Sequence, residues 1–435
     1  MNNKLFTGIE RVDITPEIGG RLFGYRPDIY SDSINDKLTV TAFYFSQNNI
    51  KAFMITATVC LIDTSLCDSL REELSEKFGL DKNNIIISAT HTHSGPALVN
   101  TIGWGDIDYE YYNSIFRPAL IKACENAYKN AEPVSVGVAS GTSRTGINRR
   151  ELRIDNNVYL GQSPWGPYNP EMTVISFKTE TGEIKGNIIH YGCHGTVAGP
   201  NTEISRDWSG VMTDAVDNLS GGITAFFNGP EGDVGPRIST GKTIATIKFV
   251  PEVGNIAAAD ACNIFKTIDN YSNIDIAVAS DTLKIPLKPR ISKEEACRTL
   301  RELDENVFKF EKHISGYYES VKESYENGYV EKDYGEVEQV IFRLGNIVFA
   351  SSPYEMFSEI GMRIDKYTPD LKVLSLSNTN GSMSYLPTQD QISRGGYEIK
   401  CFLYDMTQTN VQQYTDDADY HVVKETLRNI ERVKK

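Results

Sequence analysis

The chain reads as a mixed α/β protein, and three observations carry that reading. Apolar runs of strand length alternate with helix-length stretches of 3.6-residue period along its whole course. Turn-forming residues, Gln47-Asn48-Asn49 and Thr181-Gly182, fall between neighbouring apolar runs, as antiparallel hairpins require. At 435 residues and 40% hydrophobic content the chain can bury a large core. Mixed central sheets with flanking helices are therefore expected. No repeat or low-complexity linker interrupts the sequence, so a single domain over residues 1–435 is expected as well.

The elements follow in order. Residues 38–45 and 52–62 predict a hairpin, and Thr64 is placed as the cap of a helix running to Phe78. Ile85-Ile86-Ile87 predicts a buried strand, 109–129 a helix and 134–139 a strand. Residues 172–178 and 184–190 make a second hairpin, followed by a short helix over 211–219, a strand over 223–227 and a helix over 256–267. The charged stretch 292–327 keeps a helical period (Ala296, Leu300, Leu303, Val307, Phe310), which predicts a helical excursion from the main body. Strands over 338–343 and 347–351 return to the sheet, and a helix over 418–433 closes the chain.

A formal net charge of −14 and a pI near 5.1 argue against a nucleic-acid partner. Seven scattered cysteines, an odd number without a C-x-x-C pair, read as reduced thiols. The N-terminal residues lack the apolar region of a signal peptide, and nowhere do about 18 apolar residues run together. A cytoplasmic protein without a transmembrane segment is expected. Its oligomeric state is not encoded in any recognisable pattern.

Chemistry concentrates where apolar runs meet small residues. Ala89-Thr90-His91-Thr92-His93-Ser94-Gly95-Pro96 places two of the six histidines one residue apart at the end of a predicted strand. If the strand persists, both imidazoles share a face and reach one site. A plain turn with two polar rings is the alternative. His194, in His190-Tyr191-Gly192-Cys193-His194-Gly195, lies among small residues that permit close approach, whereas His190 reads as a core histidine. Cys193 beside His194 leaves a Cys/His nucleophile open as a lesser alternative. Asn228-Gly229-Pro230-Glu231-Gly232-Asp233-Val234-Gly235-Pro236 forms a rigid loop after an apolar strand, and Glu355 follows another strand at Ser352-Pro353-Tyr354. Catalytic zinc takes three His and carboxylate ligands and keeps a position for water; His91, His194 and Glu355 would make such a set. H-E-x-x-H, G-x-S-x-G and G-x-G-x-x-G are absent.

Taken in this order, the motifs resemble the catalytic N-terminal domain of the neutral/alkaline (non-lysosomal) ceramidase family. The resemblance runs from Gly8 to Pro16 and Phe23-Gly24-Tyr25 through ATHTHSGP, Ile147-Asn148-Arg149, the His194 loop with Ser205-Arg206-Asp207-Trp208-Ser209-Gly210, and NGPEGDVGP. It ends with Pro353-Tyr354-Glu355, Gly381-Ser382-Met383-Ser384-Tyr385-Leu386-Pro387-Thr388 and Gly395-Gly396-Tyr397-Glu398. It implies one Zn2+ held by His91, His194, Glu355 and Tyr385, activating water against an amide carbonyl. It further implies His93 as proton shuttle or substrate contact, Arg149 as the group that polarises or orients the carbonyl or another polar group of the substrate and helps stabilise the oxyanion, and Asp233 beside the activated water, with His93 or Asp233 handling the proton. Tyr385 would also share in stabilising the oxyanion.

Three departures qualify the resemblance. Gly235 stands where the family carries a serine, Ala97-Leu98 replace a Gly-Gly, and no C-terminal β-sandwich follows. The expected substrate is thus a small or amphiphilic amide rather than membrane ceramide, with an ester, lactone or sugar-derived substrate as the alternative. A non-catalytic ligand-binding relative is the second class. Trp104, Trp165 and Tyr168 are candidates for the pocket mouth, although loop 163–170 also suits plain packing.

Overall fold

A computed structural model of the protein describes residues 4–303, 312–404, 406 and 411–434. Twelve principal strands are labelled in chain order: β1 Leu5–Asp13, β2 Thr39–Gln47, β3 Ile50–Ala57, β4 Ile85–Ala89, β5 Glu132–Thr142, β6 Glu171–Thr179, β7 Ile184–Tyr191, β8 Ile223–Asn228, β9 Ile276–Pro286, β10 Tyr334–Leu344, β11 Ile347–Ser351 and β12 Lys372–Leu376. The first eight form one sheet in the order β8-β7-β6-β5-β1-β2-β3-β4; the last four form another in the order β9-β10-β11-β12. Pairing is antiparallel except at β7/β8, β3/β4 and β11/β12, where it is parallel. The mixed α/β class expected from the sequence is what the chain adopts.

The sheets face each other across one apolar core. Phe43 and Phe45 of β2, Phe177 of β6 and Phe227 of β8 meet Phe342 of β10 and Phe349 of β11, with the Phe45 and Phe342 rings 5.1 Å apart. Burying each such ring contributes about 1.5–3 kcal/mol. Alternation then sends Val40, Ala42 and Tyr44 to the opposite face of β2. There they pack on helices α1 Thr64–Phe78 and α2 Arg117–Lys129, through Leu70, Leu74, Leu120 and Cys124. Helices α3 Asp207–Ser220 and α4 Val250–Lys266 cover the same face at its other end. The outer face of the smaller sheet is covered by α7 Ser358–Lys366, α8 Tyr397–Tyr404 and α9 Ala418–Ile430. Both inner and outer faces of each sheet are thus buried, which explains strands as uniformly apolar as Ile85-Ile86-Ile87.

Several expectations need correction. Asp63, not Thr64, caps α1: its Oδ1 accepts from the Ser65 N–H at 2.9 Å. A carboxylate is the better partner for the exposed N–H groups and the positive end of the helix dipole. The helix expected over 109–129 carries a π-turn over Tyr112–Phe116 before α2. Pro118 follows at once and has no N–H for the regular ladder, so the register slips there. The 292–327 stretch holds α5 Lys293–Glu302 and α6 Lys312–Glu326, joined through Ala296, Tyr317 and Val321; Val307 and Phe310 lie outside the described residues. Strands β1, β9 and β12 were not anticipated. As an edge strand with Asp281, Thr282 and Lys284 in its middle, β9 lacks the apolar signature of its neighbours.

Candidate metal centre

Most candidate ligands sit a few residues past a strand's C-terminal end, while Tyr385 lies on the short strand Met383–Leu386, paired in parallel with Tyr354–Met356. His91 and His93 follow β4, His194 follows β7, Glu231 and Asp233 follow β8, Glu355 follows β11 and Tyr385 lies beyond β12. This is the usual crevice of open α/β sheets. Cross-links hold the strand ends in register: Asn380 N–H donates to Ile87 O at 2.7 Å, Ser377 N–H to Asn228 O at 3.1 Å, and Asn228 Nδ2 to Thr90 O at 3.3 Å.

The two histidines of the HxH pair do not converge by strand pleating. β4 ends at Ala89, and His91 takes φ +66°, a left-handed conformation that turns the chain. His91 N–H is satisfied by Val59 O at 3.0 Å, and His93 N–H by Gly195 O at 3.1 Å. Gly195 permits that approach, since a Cβ there would lie 2.6 Å from His91 O. The His194 loop is braced from behind. Trp208 Nε1 donates to His194 O at 2.8 Å, and the buried Asp207 carboxylate accepts from Ala198 N–H at 2.9 Å.

Three side-chain donors, from His91, His194 and Glu355, lie within 4.8 Å of one another and are all buried. Glu355 Oε2 is 3.3 Å from His91 Nε2 and 3.1 Å from His194 Nε2. Yet this oxygen is buried without a properly aligned hydrogen bond. Close contact without alignment is what lone pairs directed at a common point produce. The far side of each ring agrees: His91 Nδ1 faces Cys60 O at 3.0 Å, and His194 Nδ1 faces Glu231 O at 2.8 Å. Donating from Nδ1 leaves each Nε2 with its lone pair. Tyr385 Oη stands 3.4 Å from His194 Nε2 and accepts from Arg149 Nη2 at 3.0 Å. The donor set of two imidazoles, a carboxylate and a phenol oxygen therefore fits a divalent ion.

His93 stands beside this set. Its Nδ1 faces Gly24 O at 2.8 Å and its Nε2 lies 3.3 Å from His91 Nε2, with the Tyr25 ring tilted 5.0 Å away. Burial is the main cause that lowers His93 below the usual imidazole range, with the neighbouring imidazoles adding. His194 is likewise pushed down to about 3 by burial, Arg149 and His91.

Two expected residues take other positions. Arg149 does not line the cavity over the histidines; it lies behind Tyr385, with Nε on Glu398 Oε1 at 2.9 Å. The Asp233 carboxylate is occupied by Ser358 N–H at 2.7 Å, Ser358 Oγ at 3.2 Å and Asn148 Nδ2 at 3.1 Å. It opens onto a different cleft, because the loop turns at Gly232 under Glu355 O, where a Cβ would come within 2.4 Å. The sequence reading passed over Glu231. This buried carboxyl accepts from Asn378 Nδ2 at 2.6 Å and is pushed up to about 8 by burial, with His91 opposing and Glu355 adding. Cys60, whose Sγ is 3.7 Å from His91 Nδ1, was missed as well; no local motif marks it. Trp104 lines the cavity over the cluster with Phe23, Leu61 and Met383, while Tyr168 bonds Arg237 instead.

This fold coincides with that of one known class. Residues 6–249, more than half of the chain, match the family described as neutral/alkaline non-lysosomal ceramidase, N-terminal, and the chain belongs to that family. Neutral ceramidase A of Dictyostelium discoideum is 28% identical over 255 residues, covering 53% of this chain and 35% of that protein. Neutral ceramidase of Pseudomonas aeruginosa is 28% identical over 172 residues, covering 37% of this chain and 25% of that protein. The matches thus span well under half the length of these relatives. In structure, the chain resembles the crystal structure of the Pseudomonas aeruginosa neutral ceramidase with a TM-score of 0.76 at 19% identity, over 99% of this chain and 75% of that one. A ceramidase complexed with C2 gives a TM-score of 0.75 at 18% identity, over 99% and 76%. Those likenesses concern the fold.

Proposed function

We propose that the protein is a zinc-dependent hydrolase that cleaves a C–N amide bond in a small or amphiphilic substrate. The observation that carries the reading is the buried Glu355 Oε2, close to two imidazole Nε2 atoms and aligned with neither. Family membership supplies the reaction class. His91, His194, Glu355 and Tyr385 would hold the ion. Zinc supplies Lewis acidity, polarising a carbonyl and lowering the pKa of water from 15.7 to about 7.

The chain's own groups then divide the remaining work. His93, neutral and with Nε2 facing the cluster, accepts the proton of the attacking water. It returns that proton to the leaving nitrogen as the C–N bond breaks, so a carboxylic acid and an amine are released. Arg149 acts through Tyr385, fixing the phenol oxygen by a hydrogen bond; burial, with Glu355 adding, holds that phenol well above its usual range, and Arg149 opposes the rise. Asp233 serves as an acceptor for the Ser358 N–H at the start of α7 rather than beside the reacting water.

The site has no need of the missing serine. Gly235 pairs through the short strand Val234–Pro236, and a Cβ there would lie 2.6 Å from Thr243 Cβ, so Thr243 fills that space. The cavity over the cluster measures about 50 Å3, against roughly 300–1,000 Å3 for a drug-sized ligand. That size, with Phe23, Leu61 and Trp104 in its wall, favours a short acyl group. A cytoplasmic site of action is part of the proposal and rests on seven cysteines that are all free thiols. Among the described residues, no helix is long and apolar enough to cross a membrane.

Elemental mass spectrometry of the wild type, His91→Ala and Glu355→Ala tests the reading. About one zinc per chain, lost in both variants, is expected, followed by turnover in a screen of short-acyl amides, esters and lactones. A folded wild type that takes up no zinc overturns it, and ligand binding without turnover would point to the non-catalytic relative.

A further inference from the structure

A second concavity opens across the strand that carries Arg149. Asn148 and Arg150 line a cleft of about 580 Å3, while Arg149 between them turns toward Tyr385 and Glu398, as alternation along extended chain requires. The cleft shares no lining residue with the cavity over the histidines.

Trp165 stands at this cleft with 94% of its surface exposed. A loose loop does not account for that exposure. Ser163 N–H donates to Asn148 O at 2.8 Å, Gly166 N–H to Ser163 O at 3.1 Å, and Asn148 Nδ2 to Pro167 O at 2.7 Å. A Cβ on Gly166 would lie 2.3 Å from Asn148 Cγ, so the loop is pressed onto the strand and its indole is held out in water. A ring held out by a preorganised loop is available for stacking at little further ordering cost.

The polar groups around the ring are charge-compensated. Glu151 pairs with Arg153 at 3.0 Å, Glu359 with Arg363 at 3.7 Å, and Arg150 with Glu398 at 2.6 Å. Asp390 is opposed by Arg394, and Asp233 is taken by Ser358 and Asn148. Such a rim has little net field to attract an anion or a cation, yet it offers many acceptors and donors. A purely apolar ligand would strip water from the carboxylates without replacing its hydrogen bonds. An uncharged ring with one apolar face and hydroxyls at its edge meets both demands.

We propose that this cleft binds a sugar ring, stacked on Trp165 and hydrogen-bonded by Glu359, Asp390 and Arg394, apart from the site of hydrolysis. The test is intrinsic fluorescence of the full chain titrated with glucose, galactose, mannose, N-acetylglucosamine and cellotriose into the tens of millimolar, with tetramethylammonium chloride in parallel. At least one sugar gives a saturable blue shift; Trp165→Ala abolishes it, and Glu359→Ala weakens binding roughly tenfold, the worth of one hydrogen bond to a charged group. Trp165 is a surface residue, so the variant folds, and Trp104 and Trp208 remain as internal reporters. No shift with any of the sugars overturns the proposal, as does a shift that persists in Trp165→Ala. A shift with tetramethylammonium alone overturns it in favour of a cation site.

Discussion

Glu398 binds Arg149 through Oε1 at 2.9 Å and is almost wholly buried in doing so. Its other oxygen receives Arg150 Nη1 at 2.6 Å, so one carboxylate compensates two guanidinium groups in the interior. Removing it strands both charges. Glu398→Ala is expected to destabilise the protein by about 3–5 kcal/mol. Urea denaturation checks this, and a loss below about 1 kcal/mol would mean that the arginines find other partners.

In the proposed mechanism His93 moves a proton and holds no metal, although it neighbours the proposed ligands. His93→Gln should leave the zinc content unchanged while turnover falls by about 10²–10⁴-fold, the usual worth of a general acid–base group. Metal analysis and kcat on the same preparation make the comparison. Unchanged kcat would remove His93 from the mechanism.

Gly24 holds the back of that ring. Its φ is +125°, and a Cβ there would lie 2.4 Å from His93 Nδ1. Gly24→Ala both strains the backbone and displaces the imidazole. A lower kcat with retained zinc is the expected outcome, and wild-type kinetics would show that the ring is not held by this contact.

Gly235→Ser is expected to bring no gain at the site. The added atoms run into Thr243, and overpacking of this kind costs about 1–3 kcal/mol. Thermal unfolding should show a lowered Tm without any gain in turnover. Enhanced activity would contradict the water-based route.

Burial raises Asp233 from 3.8 to about 7, because the charged form loses more solvation than Ser358 returns. The folded state therefore binds the proton more tightly than the unfolded chain does. Its contribution to stability is complete below about pH 4 and is lost as pH rises toward 7. Asp233→Asn should flatten that fall when unfolding free energy is measured across the window, and parallel wild-type and variant profiles would dismiss it.

The strand and helix order was legible because both sheets are covered on both faces, so most strands announce themselves as unbroken apolar runs. Edge strand β9 did not, for it carries Asp281 and Lys284. His91, His194 and Glu355 could be named from their surroundings, since each sits among small or turn-forming residues near a strand end, whereas Tyr385 was named only through the family resemblance. Their convergence was not readable: it depends on the left-handed turn at His91 and on hydrogen bonds between strand ends far apart in sequence. Asp233 and Glu231 lie two residues apart in one loop, and only the turn at Gly232 decides which faces the histidines. Trp165 was an ambiguous aromatic until its exposure was known.

The matched stretch, residues 6–249, contains His91 and His194 but neither Glu355 nor Tyr385. Glu355 and Tyr385 lie opposite each other on a short parallel pair, Tyr354–Met356 with Met383–Leu386, that comes late in the chain. A partly made polypeptide with only the larger sheet in place would hold two imidazoles facing each other and little affinity for an ion. On the proposed zinc reading, metal capture would wait until the final strands dock, so that a bound ion would report on completion of folding.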